Sequence, residues 1–348
     1  MLHSKQYLII GISGAVGVLL LVSFGSQLWG GTSNKANLQD RQLKIAVVTD
    51  ALFSDRGWGG SSFNASQFIE DKYQVEVTAV DNIQIADIES TLTKYATEKY
   101  DLIIAHGFQW GEPAIKIGKQ FPQVKIVVFT GLVKSDNVAS IFPMQQEGSF
   151  LLGALAGMMT KTGVIGFVGG EEYPNVVNIY EGFKQGAQTV NPDVEVIGTY
   201  LNDWDNQAKG KEAASALIRI QGADIVFQVA DTSGHGVITA AMQNHVYALG
   251  SVQDQNALAP DTVLSSFVLD TGKAYDQAVQ MVLNNSFRGE IFKPGIERGK
   301  GQLGDDGIVY LAPFHNLEPE VPLAVKSRLE QFTQDILEKR IIVPERYQ

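Results

Sequence analysis

Asp50 closes the first β-branched run of the chain, Lys44–Thr49, where a carboxylate can accept from a ligand N–H or hydroxyl or cap the turn that follows. Trp204 stands in a polar run, Asn202-Asp203-Trp204-Asp205-Asn206, where a ring buried in a core is not expected. Its flat face is therefore a candidate platform for another flat ring. Asn64 carries both a donor and an acceptor and could pair with the edge of a heterocycle, or cap a helix. Asp254, a turn acid after a strand, and His106 and Asp231, at strand ends, are further cleft candidates.

These residues bind; they do not form a reaction centre. His106, His235 and His245 fall on separate elements without metal-ligand spacing, so no metal is expected. The chain has no cysteine, which removes thiol nucleophiles, thiolate sites, disulfides and the lipid-attachment cysteine of many bacterial surface proteins. Gly169-Gly170 and Gly234-His235-Gly236 lack a P-loop lysine. Gly299-Lys-Gly-Gln-Leu-Gly304 matches a dinucleotide fingerprint by letter, but no strand leads into it and no helix follows. No G-x-S-x-G elbow is present either. The expectation is a protein that is not an enzyme and uses no cofactor.

The elements that would position such a site follow a parallel-sheet rhythm. From Leu43 onward, short β-branched runs alternate with helix-length amphipathic stretches, the pattern of an α/β fold with helices on both sheet faces. The runs include Val75–Val80, Asp101–His106, Lys125–Thr130, Val138–Phe142, Val164–Val168, Ala223–Val229, Tyr247–Val252 and Val263–Phe267. Helices are expected near Ser62–Lys72, Gln146–Lys161, Val176–Asn191, Gly236–Asn244 and Lys273–Asn284, among others. Two doubly wound lobes joined by a hinge fit better than one sheet of ten strands. The expected division is a first lobe at 43–142, a second at 143–254, a return to the first lobe with the hinge at 255–316, and a C-terminal helix and tail at 317–348. Ligand would sit between the lobes, at the carboxyl ends of the strands. With 45% hydrophobic and 19% charged residues among 348, there is ample material for both cores. A formal charge of −11 and no basic block speak against nucleic acid as a partner.

Residues 1–42 differ in kind. His3 and Lys5 precede an uncharged, largely apolar stretch whose centre, Tyr7 to Trp29, suits a membrane. It reads either as an uncleaved anchor of about 20 residues or as a long signal peptide with small residues near Ser23-Phe24-Gly25. Both readings place the rest of the protein outside the cytoplasm, at the cell surface or in a periplasm.

Several segments in order resemble the basic membrane protein family of solute-binding proteins, whose best understood members are purine nucleoside receptor lipoproteins of ABC importers. They include Val48-Thr49-Asp50, Ser62-Phe63-Asn64, Asp101-Leu-Ile-Ile-Ala-His-Gly-Phe108, Glu147-Gly-Ser-Phe-Leu-Leu-Gly-Ala-Leu-Ala-Gly157, Val164-Ile-Gly-Phe-Val-Gly-Gly170 and Ala208-Lys-Gly-Lys-Glu212. The resemblance implies a type I periplasmic-binding-protein fold, a nucleoside or nucleobase as ligand and an ABC permease as partner. It also implies a base sandwich in which Phe63 from one lobe and Trp204 from the other grip the ring, with Asp50 and Asn64 bonding to it. The alternative is a membrane-tethered sensor or regulator using the same closure. Three departures matter: Thr130, Val252 and Leu269 stand where the family usually carries charged residues that hold the sugar. An ordinary ribonucleoside is thereby disfavoured against a base, a modified purine or another flat heterocycle. The loop Ala51–Ser61, with Phe53, Trp58 and three glycines, is longer than the family's and reads as an aromatic lid.

Overall fold

A computed structural model describes residues 43–297 and 307–346. The N-terminal apolar segment and the Gly299–Gly304 motif lie outside the described residues. Along the chain run β1 (Lys44–Thr49), α1 (Trp58–Tyr73), β2 (Glu76–Val80), α2 (Ile88–Thr97), β3 (Leu102–His106), α3 (Gly111–Gln120), β4 (Lys125–Phe129) and β5 (Val138–Ile141). Then come α4 (Gln145–Met159), β6 (Val164–Gly169), α5 (Pro174–Val190), β7 (Glu195–Tyr200), α6 (Gln207–Arg219), β8 (Ile225–Val229), α7 (Asp231–Asn244), β9 (Tyr247–Val252) and β10 (Val263–Leu269). The chain ends with α8 (Thr271–Leu283), β11 (Ile291–Phe292), β12 (Val309–Leu311) and α9 (Leu323–Leu337).

Two sheets result, in the orders β11-β5-β4-β3-β1-β2 and β12-β10-β9-β8-β6-β7. Every pairing is parallel except that of β12, which runs antiparallel to β10. The central strands are buried on both faces because the crossover helices cover both, which is why they read as unbroken β-branched runs. α4 is apolar all round because it lies inside, packed against α5, β10 and α9. Among the described residues no helix is long and apolar enough to cross a membrane.

The chain passes between lobes after β5, after β10 and between β11 and β12. The sequence reading put the second of these passages near 255; it comes instead at Asp270. Val263–Leu269 hydrogen-bonds beside β9 in the second sheet, and only α8 returns, to pack on α1 and β3. The two-residue strand β11, too short to register as a periodic run, then adds an edge to the first sheet.

In each sheet the winding reverses at one place, between β1 and β3 in the first and between β6 and β8 in the second. At such a reversal the loops diverge to opposite faces and leave a crevice beyond the strand ends. The two crevices face one another.

Candidate functional site

The first lobe brings Asp50 at the end of β1, Gly107 to Gln109 at the end of β3, Thr130 after β4, and Trp58 on the first turn of α1 into one cleft. The second lobe answers with Tyr173 and Asn175 at the start of α5, Trp204 and Asp205 before α6, and Asp231 opening α7. The cleft takes in about 740 Å³ counted to its open mouth.

Trp58 is held by a local device. The carboxylate of Asp55 accepts from the backbone N–H groups of Gly57, Gly59 and Gly60 at 2.7, 2.7 and 2.8 Å, which caps α1 and fixes its first turn. Behind the indole lie the His106 ring, with centroids 3.9 Å apart, and Phe129, stacked at 5.5 Å. His106 in turn stacks on Phe129 at 4.9 Å and 13°. Its Nδ1 meets the Tyr275 hydroxyl at 2.9 Å, and that hydroxyl meets Ser62 Oγ at 2.9 Å. Burial depresses the His106 pKa to about 3, so the imidazole is neutral, an uncharged ring under the tryptophan.

Trp204 is held differently. Its ring lies against Gly170, where a Cβ would come within 2.2 Å of the indole, so only glycine lets the ring lie flat there. Tyr173 flanks it at 6.0 Å, and Tyr173 touches Phe108 of the first lobe at 5.9 Å. Gln253 Nε2 donates to the Gly57 carbonyl at 2.8 Å, a second bond between the lobes.

Four carboxylates line the cleft: Asp50, Asp55, Asp205 and Asp231. Burial raises the pKa of Asp50, opposed by bonds from its backbone and from Trp110 Nε1 at 3.4 Å. Asp231 is pushed well above the usual carboxylate range, by burial first and then by the charges of Asp55, Asp50 and Asp205; the Trp58 backbone N–H pulls the other way. Two polar atoms facing the cleft have no partner within the protein, the Nε2 donor of Gln145 and the Oδ1 acceptor of Asn175. Buried polar atoms without partners are rare in folded proteins, and these two lie where something entering the cleft could pair with them.

Of the residues singled out in the sequence, Asp50, Trp204 and Asp231 come together in this cleft. Phe63 does not: it is 39% exposed and packs on Phe53 at 5.2 Å. Five positions beyond Trp58 on one helix, its side chain is turned by about 140° from the one that faces the cleft. Asn64, next to it, lines separate grooves on the outside of α1. Asp254 turns away to His315 Nε2 at 2.6 Å, and His106 lies beneath the cleft wall rather than in it. Trp58 thus stands where Phe63 was expected. Gln145 and Asn175 carried no signal in the sequence that separates them from ordinary helix-start residues. Thr130 and Val252, two of the three departures, do line the cleft, whereas Leu269 is buried and lines an outer groove.

Two doubly wound lobes, hinged by three strands of chain and closing aromatic walls over a polar cleft, define a solute-binding protein of the kind that serves ABC transport systems, and such proteins are extracytoplasmic. Residues 42–346 match the family described as ABC transporter substrate-binding protein PnrA-like, and the chain belongs to it. A purine-binding protein of Brucella abortus is 30% identical over 81% of this chain and 78% of its own length. The transcriptional activator protein med of Bacillus subtilis is 28% identical over 67% of this chain and 73% of its own. A solute-binding protein of an ABC transporter system from Aeropyrum pernix shares the fold with a TM-score of 0.78 at 21% identity, over 88% of this chain and 94% of the other. The family is one of substrate-binding proteins and not of enzymes.

Proposed function

We propose that this protein encloses a purine base, a modified purine or a related flat heterocycle between Trp58 and Trp204 and hands it to an ABC permease. The observation that carries the reading is the placement of one tryptophan on each lobe in a single cleft. A stacked base gains about 1–3 kcal/mol per aromatic face. Rings on opposite lobes make closure depend on what lies between them, because a ligand can shift the equilibrium only by its differential affinity for the closed form. Asp50, Gln145 and Asn175 would read the edge of the ring, each through the atom it leaves toward the cleft. The N-terminal apolar segment would hold the protein at the outer face of the membrane. The similarity to a purine-binding protein supports the ligand class.

The test is a thermal-shift series on the full chain with purine bases, nucleosides and unrelated sugars or amino acids. A binder at 100 times its Kd adds about 2.7 kcal/mol of stability. Stabilisation by sugars or amino acids and not by purines would remove the reading. A second reading, a tethered sensor that reports closure to a partner, is favoured by the similarity to a transcriptional activator. Uptake of labelled purine that is unchanged by deletion of the gene would choose it over transport.

A further inference from the structure

The charge of the cleft is one-sided. Its described lining includes four aspartates and no lysine, arginine or histidine. The basic groups nearby do not offset them. Lys209 pairs with Asp203 at 3.0 Å, Arg56 lines a separate outer groove, and His235 is kept toward its neutral form by burial. Asp55 spends both oxygens on the start of α1, which leaves Asp50, Asp205 and Asp231 facing the ligand space. Among the described residues no group of acidic or histidine side chains is arranged to hold a metal ion. The walls are aromatic, with Trp58 and Phe108 on one side and Tyr173 and Trp204 on the other. Ring faces attract cations, most of all where water is excluded. Gln145, 2% exposed, aims an unpartnered donor into the same space, so the site also awaits a polar acceptor on the ligand.

From this geometry we infer that the ligand is a heteroaromatic cation, a ring bearing a positive charge, held by the π faces of the two tryptophans and neutralised by Asp50, Asp205 and Asp231. The inference rests on the flat-heterocycle reading and narrows it. A neutral ring could satisfy the hydrogen bonds of these carboxylates, but it would leave proton uptake, the direction in which Asp231 is already driven, as the one relief of their mutual repulsion. A cationic ring satisfies both, and the absence of any basic lining residue disfavours ligands carrying phosphate or carboxylate.

The experiment compares matched pairs differing by one methyl group and one charge, with and without a sugar: 9-methyladenine with 1,9-dimethyladenine, adenosine with 1-methyladenosine, and nicotinamide with 1-methylnicotinamide. Each is titrated into the full chain in detergent at pH 7. The charged member should bind at least tenfold more tightly in the pairs that bind. Asp205→Asn and Asp231→Asn, both nearly isosteric, should each reduce the charged-to-neutral ratio severalfold, a readout that a general loss of binding would not move. Neutral members binding as well as or better than their charged partners would overturn the cationic ligand and leave the flat-heterocycle reading standing. Binding of no member of any pair would remove both.

Discussion

The two jaws of the cleft present the same kind of ring on opposite kinds of support. On the first lobe Trp58 rides a helix start tied down by three hydrogen bonds to Asp55, with a buried stack of His106 and Phe129 behind it. On the second, Trp204 projects from a polar turn whose neighbours Asp205 and Asn206 are exposed, and what holds the ring is a glycine beneath and a tyrosine beside it. One ring is backed by a buried aromatic stack; the other is held through its backbone, the Trp204 carbonyl accepting from the Ser233 N–H at 2.8 Å and the Asn206 N–H donating to Ser233 Oγ at 2.8 Å. A wall already ordered by its own packing or hydrogen bonds lowers the ordering cost of binding there.

Removing each ring in turn breaks the comparison most directly. Trp58→Ala should lose both binding and stability, because it empties the space in front of His106 as well as the stacking face. A loss of about 2–4 kcal/mol in unfolding free energy is expected for a partly buried indole, read by chemical denaturation beside a ligand titration. Trp204→Ala should weaken binding by about 1–3 kcal/mol while shifting the denaturation midpoint little. If the two variants lost stability equally, the contrast between a ring packed on a buried stack and a ring carried by a surface turn would be wrong.

The acids sharpen the contrast through pH. Asp231 and Asp50 carry pKa values raised by burial, and Asp205 is raised in the same way. A carboxylate whose pKa is higher folded than unfolded binds its proton more tightly in the native state. Folding is therefore favoured at low pH and loses stability as pH rises from the ordinary carboxylate value through the raised one. The unliganded protein should gain stability on mild acidification from pH 7, until its other carboxylates are protonated in turn. Asp231→Asn should raise the melting temperature at pH 7 by a few degrees, on the scale of about 2–4 °C per kcal/mol for a chain of this size class, and flatten the acid side of the profile. A melting temperature for Asp231→Asn below that of the unmutated protein at pH 7 would mean that the charge is compensated by contacts other than those described.

Much of the fold was legible because a sheet buried on both faces leaves an unbroken β-branched signature. Lys44–Thr49 and Tyr247–Val252 coincide with their strands residue for residue. The place of Trp204 in the cleft is legible on the second lobe, where a tryptophan in a polar run is conspicuous; on the first lobe the sequence points to Phe63, which lies outside the cleft. The helix expected from Ser62 begins at Trp58, and the helix expected from Gly236 begins at Asp231. In both, glycines occupy the first turns and read as loop. At Gly236 the reason is packing, since a Cβ there would lie 1.9 Å from the Gln207 carbonyl of α6. The hidden turns carry Trp58 and Asp231, so the residue types that obscure the helix starts sit beside those that face the ligand. Gln145 and Asn175 were beyond reach for another reason: an unpaired side-chain atom is a property of three-dimensional surroundings, and nothing in local sequence encodes it.

The smallest effect expected concerns the strand ends that frame the cleft. Thr130 has φ 62° and Val252 φ 68°, a left-handed backbone that β-branched side chains adopt at a cost and that asparagine, aspartate and glycine tolerate. Strain of this kind costs of order 1–3 kcal/mol and persists where surrounding structure enforces it. These are also positions at which the sequence departs from the aspartates expected by family resemblance. Both positions have the backbone conformation an aspartate tolerates, but Val252 offers no atom to hold a hydroxyl and Thr130 offers a single hydroxyl in place of a carboxylate. Val252→Asn and Thr130→Asn should each stabilise the unliganded protein by about 1 kcal/mol, measured by urea denaturation with the slope unchanged. Val252→Asn should also give the cleft a polar group able to bond a sugar hydroxyl, so with it the preference for a bare ring over its nucleoside should fall. Stabilisation without that change in preference would mean that Val252 shapes the backbone alone. Destabilisation by both substitutions would mean that their methyl groups pack well enough to outweigh the left-handed strain.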